Sequence, residues 1–141
     1  MTPVYPYLLR LFMFTIITPA QFKTLLWKNG KGETIELAIN ENASLEDFEW
    51  RISMASVVED GVFSDFSGYT RNLILIEGNG LNLQHDHSHI DKLNNILDFA
   101  TFDGGCLTVG NLHNGAIIDF NVITDKAEYQ TNVSTYLHKT V

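Results

Sequence analysis

Residues 48–80, FEWRISMASVVEDGVFSDFSGYTRNLILIEGNG, decide the fold class. Phe48 to Val58 alternates side chains with a period of two and stops at Glu59-Asp60-Gly61, a turn signal. Asn72 to Glu77 is a short aliphatic run closed by Gly78-Asn79-Gly80. Neither segment repeats its apolar residues at the 3.6 spacing of an amphipathic helix. Working outward, strands are expected at Phe14 to Thr18, Thr34 to Ile39, Leu81 to Gln84, Cys106 to Val109, Ile117 to Thr124 and Tyr129 to Leu137. Ile90 to Phe99 reads as a helical turn or a loop. Several short strands separated by turns at roughly 8–12-residue intervals imply an all-β sandwich or barrel.

At 141 residues the chain has the length of about one domain. Its hydrophobic fraction of 45% is enough to bury a core and excludes global disorder. Nine basic residues against seventeen acidic ones give a formal charge of −8. That balance speaks against nucleic acid or an anionic membrane as a partner. A small anion could still bind, given a local focus of Arg or Lys. Tyr7 to Ile17 is apolar but too short for a membrane span of about 20 residues. Residues 1–12 read as a leader, with Met13 as an alternative start and a single domain over 13–141. Cys106 is the only cysteine, which excludes an internal disulfide and fits a reducing, cytoplasmic setting. Between Gly105 and Leu107, in an apolar strand, it reads as a packed core thiol.

Parity sorts the polar residues, because side chains alternate across a strand. Arg51, Ser53 and Ala55 share one face, against Trp50, Ile52, Met54 and Val58 on the other. Thr34, Glu36 and Ala38 oppose Ile35, Leu37 and Ile39. Arg71 shares parity with Leu73 and Leu75, and Asp119 with Asn121. Parity does not say which face is inside. Either the polar faces meet water, or they line the mouth of a small barrel or sandwich.

Two other motifs bear on chemistry. Trp27-Lys28-Asn29-Gly30-Lys31-Gly32-Glu33-Thr34 has neither the spacing nor the helix that phosphate cradling requires, and reads as a surface turn. His85, His87 and His89 would share one face of a strand, with Asp91 two residues on. That arrangement suits a metal-dependent cupin enzyme, against which stands a solvated loop. No nucleophile stands in a G-x-S-x-G context.

The segments 27–34 (WKNGKGET), 48–80 and 115–121 (GAIIDFN) together resemble the HutD/Ves family, in the right order and over most of residues 14–125. The resemblance implies a cupin-type β-barrel or sandwich, bicupin-like, with two linked halves of which the second is truncated here. It implies a small-molecule binding protein associated with histidine degradation or stress induction, not an enzyme of known reaction. The implied ligand is an acidic or formylated intermediate such as N-formylglutamate, with no cofactor. Carried over by motif, the binding candidates are Lys28, Asn29, Glu36, Arg51, Ser53, Arg71, Asp119 and Asn121. Two arginines suit two carboxylates, the asparagines suit a formamide, and Glu36 and Asp119 would orient the arginines. Lys31 departs from the family's glycine, and Ile123-Thr124-Asp125-Lys126 departs from its usual basic ending. A shortened second half completed by another copy makes a homo-oligomer the expected partner beyond the metabolite.

Overall fold

The structure is a computed structural model that describes residues 14–138. The expected leader at 1–12 and the alternative start at Met13 lie outside these residues. Ten strands follow a short 3₁₀ turn at Pro19–Gln21: β1 (Lys23–Leu26), β2 (Gly32–Ile39), β3 (Trp50–Val57), β4 (Gly61–Val62), β5 (Tyr69–Glu77), β6 (Leu81–His85), β7 (His89–Leu93), β8 (Phe99–Asp103), β9 (Thr108–Leu112) and β10 (Ile117–Asp125). They form a six-stranded sheet in the order β1-β2-β3-β10-β5-β8 and a four-stranded sheet in the order β4-β9-β6-β7. Every pairing is antiparallel. The result is an all-β, cupin-type sandwich whose sheets do not close into a barrel.

The core lies between the sheets, and the register of three central strands shows where it stops. Val57 pairs with Ile117, and Leu75 with Asp119. Val57, Leu73, Leu75 and Ile117 join Leu81, Leu83, Leu93, Ala100, Phe63 and Phe102 in one buried cluster. Further along, the same inward face turns polar. Ser53 pairs with Asn121, while Arg51 and Arg71 flank Ile123 from opposite sides. The polar faces therefore point inward: Arg51, Ser53, Arg71, Asp119 and Asn121 are all buried.

Four sequence expectations need correction. Phe14 to Thr18 forms no strand, and the first strand starts at Lys23. Ile90 to Phe99 is neither helix nor simple loop. It contains most of β7, then a tight turn in which Asp98 accepts from the backbone N–H groups of Asn94 and Asn95 and Leu97 takes φ 75°. Cys106 precedes β9 in a turn and is only half-buried, so it is not a core strand residue. Tyr129 to Leu137 forms no strand. It is held by side chains instead: Asn72 donates to Thr131 Oγ1 at 3.0 Å, and Thr135 Oγ1 donates to the Leu97 carbonyl at 3.0 Å.

Candidate functional site

Where the inward face turns polar, the sheets enclose a cavity of about 560 Å³. Its wall includes seven of the eight residues singled out from sequence: Lys28, Asn29, Arg51, Ser53, Arg71, Asp119 and Asn121. Lys28 and Asn29 sit at the exposed rim, in the turn before β2. There the Lys31 N–H donates to Asn29 Oδ1 at 2.9 Å, and Gly30 supplies φ 74°. Gly32 is required at the end of this turn, because a Cβ there would fall 2.3 Å from the Ser56 carbonyl oxygen and 3.2 Å from the Trp27 ring. Trp27 is further fixed by its Nε1–H, which donates to Thr34 Oγ1 at 2.8 Å.

The eighth residue, Glu36, lies behind the wall. Its Oε1 accepts from Arg51 Nε at 3.0 Å, and both side chains are nearly free of solvent contact. Among the described residues the Arg51 guanidinium has no other protein partner, and the residue borders the cavity. Glu36 also borders a second cavity of about 180 Å³. Leu25 and Leu45 are common to both walls.

Arg71 is held differently. Its guanidinium carbon lies 5.6, 5.3 and 5.5 Å from the ring centres of Phe63, Phe66 and Phe102, an aromatic cage. Nη1 donates to the Ser64 carbonyl at 3.3 Å and Nη2 to Asn121 Oδ1 at 3.3 Å. Nε has no partner. Burial lowers the Arg71 pKa to about 10, with the charge of Arg51 adding to the effect and that of Asp119 opposing it. The guanidinium stays protonated at neutral pH.

Asp119 completes the chain of contacts. Asn121 Nδ2 donates to Asp119 Oδ1 at 2.5 Å, so Asn121 stands between the carboxyl and Arg71. Asp119 is 0% exposed and its Oδ2 has no partner. Burial pushes its carboxyl up to about 7, against the downward pull of the Asn121 hydrogen bond and of Arg71. Arg71 and Asp119, which both border one cavity, thus each keep a buried polar atom without a partner. Buried polar atoms are normally satisfied; two of the three unpartnered ones among the described residues, the third being Thr124 Oγ1, fall on residues that border this cavity.

The phenyl cage was not foreseen. Its signal was present in Gly61-Val62-Phe63-Ser64-Asp65-Phe66, two aromatics just ahead of the Arg71 strand. The three histidines do not share a strand face. Asp86 and His87 take φ 50° and 59°, the double positive φ of a tight hairpin turn, so β6 ends at His85 and β7 begins at His89. His85 is buried, its ring nitrogens 2.9 Å from Thr108 Oγ1 and 2.8 Å from Asp91 Oδ2. His87 is exposed in the turn. Among the described residues no three His, Cys, Asp or Glu side chains come together as a metal would require. Among the same residues no helix is long and apolar enough to cross a membrane.

The sequence profile of the HutD family matches residues 19–140. The chain belongs to the HutD family. A HutD relative described as an uncharacterized 21.2 kDa protein in the hutC 3′ region of Pseudomonas putida is 32% identical over 121 residues, 86% of this chain and 63% of that one. The protein Ves of Escherichia fergusonii is 37% identical over 100 residues, 70% of this chain and 51% of its own length. A solved structure of HutD from Pseudomonas fluorescens, in a formate condition, superposes with a TM-score of 0.71 at 34% identity, covering 78% of this chain and 59% of that one. The chain thus spans between half and two thirds of the length of these relatives. Likeness to a cupin-2 domain of Rhodospirillum rubrum, with a TM-score of 0.58 at 12% identity, supports the fold alone.

Proposed function

We propose that the protein is a non-enzymatic binding protein for a small acidic metabolite, of the class of N-formylglutamate, and that it acts in the regulation of histidine degradation. One observation carries this reading: two buried guanidiniums rise on either side of Ile123 and open on one chamber. Their backbones are two strand spacings apart, roughly 10 Å, a separation that long side chains narrow to the span of a five-carbon diacid. Guanidinium groups suit carboxylates because the planar fork matches the planar anion. The volume falls in the roughly 300–1,000 Å³ range of small-molecule sites. The place of the Pseudomonas putida relative, 3′ of hutC, supports the link to histidine utilisation.

Calorimetry with N-formylglutamate, glutarate and glutamate tests it. The first two bind, and glutamate is weaker because its ammonium meets Arg71. Arg71→Met, with a thermal melt to confirm folding, weakens binding roughly 10- to 100-fold, as expected for a lost charged hydrogen bond of about 1.5–3 kcal/mol. Equal affinity in the folded variant and the unchanged protein refutes the assignment.

A further inference from the structure

Among the described residues Asp119 is the one acidic side chain in the wall of a chamber that is otherwise cationic where it is charged. Its surroundings can be named strand by strand. On β10 itself the neighbour is neutral Asn121. From β5 comes Arg71, and from β3 comes Arg51, the latter already bonded to Glu36 of β2. Lys28 stands at the rim, and among the described residues no histidine lines the wall. Asp119 pairs in register with Ala55 and Leu75, at the level where the aliphatic core begins. Asp119 and Arg71 form no ion pair, because Asn121 occupies the space between them.

We propose that Asp119 meets the ligand as a neutral acid, its Oδ2–H donating to an oxygen of the bound anion, so that one proton enters with each ligand. The proposal rests on the reading that the ligand is an anion. Three observations support it. Oδ2 is buried and unpartnered, and its residue borders the cavity, so a ligand packed against this wall is the nearest group that could complete its hydrogen bonding. A carboxylate in that position would face the incoming anion with like charge, whereas a carboxylic acid offers it a donor. Charge also balances only in the neutral form. With Asp119 ionised, Lys28, Arg51 and Arg71 against Glu36 and Asp119 leave one net positive charge. With Asp119 neutral they leave two, which is what a dicarboxylate brings. The raised carboxyl, near 7 in the empty site, makes the proton available at physiological pH.

The consequence is a site that senses acidity together with its metabolite. Above about pH 7 each further pH unit weakens dicarboxylate binding about tenfold, and below that point affinity levels off. Titration calorimetry of N-formylglutamate and of glutarate at pH 8, in buffers of different ionisation enthalpy, reads the proton count directly. The expected count is close to one per ligand for both compounds, and zero for Asp119→Asn. Since neither ligand titrates near pH 8, the wild-type count alone decides the matter if the variant does not fold. Binding without proton uptake overturns the proposal and leaves the anion site standing. Absence of binding by either compound overturns both. A carboxyl-carbon NMR titration of the empty protein is the ligand-independent arm: a midpoint near 7 supports the proposal, and a midpoint below 5 overturns it.

Discussion

Replacing Asp119 by Asn should stabilise the protein, and by more as the pH rises. The substitution keeps the shape of the side chain and the acceptor that Asn121 bonds, while removing a carboxyl that burial displaces from 3.8 to about 7. The sign follows from linkage. A carboxyl whose pKa is raised on folding binds its proton more tightly in the native state. Its contribution is therefore fully present below about pH 3.8 and is lost as the pH climbs through about 7. At about 1.4 kcal/mol per pH unit, the full displacement corresponds to a cost of about 4 kcal/mol once the group is ionised in both states. About 1.5 kcal/mol of that is already incurred at pH 5, so the gap between variant and wild type grows by about 2–3 kcal/mol from pH 5 to pH 8 and then stops growing. Urea unfolding of both proteins at half-unit pH intervals measures it. A gap that stays flat across that range would mean that Asp119 is already ionised at pH 5, and the account of its burial would be wrong.

Two further outcomes concern buried polar groups outside the cavity wall. Glu36→Ala leaves Arg51 as an uncompensated buried cation and should cost about 3–5 kcal/mol in urea unfolding, with Glu36→Gln much milder because its carbonyl still accepts from Nε. A loss below 1 kcal/mol in Glu36→Ala would show that water reaches the pair. Asn72 is 1% exposed and ties Thr131 to the outer face of the six-stranded sheet, so Asn72→Ala should cost about 1–3 kcal/mol and speed tryptic cleavage after Lys126 several-fold. An unchanged cleavage rate would show that the segment is held elsewhere.

Much of the site was legible because strand parity is geometric. Alternation alone puts Arg51 with Ser53, Arg71 with Leu73, and Asp119 with Asn121 on common faces, and the structure keeps those groupings. What periodicity withheld was the direction: Arg51 and Trp50 alternate equally well whichever side is inside, and only the second sheet decides it. The resemblance to a known family supplied the choice that the alternation left open. Elements carried by weak local patterns were lost. Lys23–Leu26 has no alternation because all four of its residues are exposed on an edge strand. Tyr129 to Leu137 carries β-prone residues but joins no ladder: its contacts run through Thr131 and Thr135 side chains to Asn72 and the Leu97 carbonyl. His85 to His89 reads as a solvated loop, and the structure makes it a hairpin turn between β6 and β7, because the sequence does not advertise two non-glycine residues at positive φ.

The centre of the larger sheet is its last strand. β10 lies between β3 and β5 and supplies Asp119, Asn121 and Ile123 to the cavity. During synthesis, everything up to residue 116 leaves the ribosome before the piece that joins the two halves. Until then β3 and β5 are open edges, each with an arginine and no wall between them, a state prone to pairing with the wrong strand. Contacts this distant in sequence form slowly. The nascent chain therefore cannot join the two halves of its larger sheet, or complete the cavity wall, until β10 has been made.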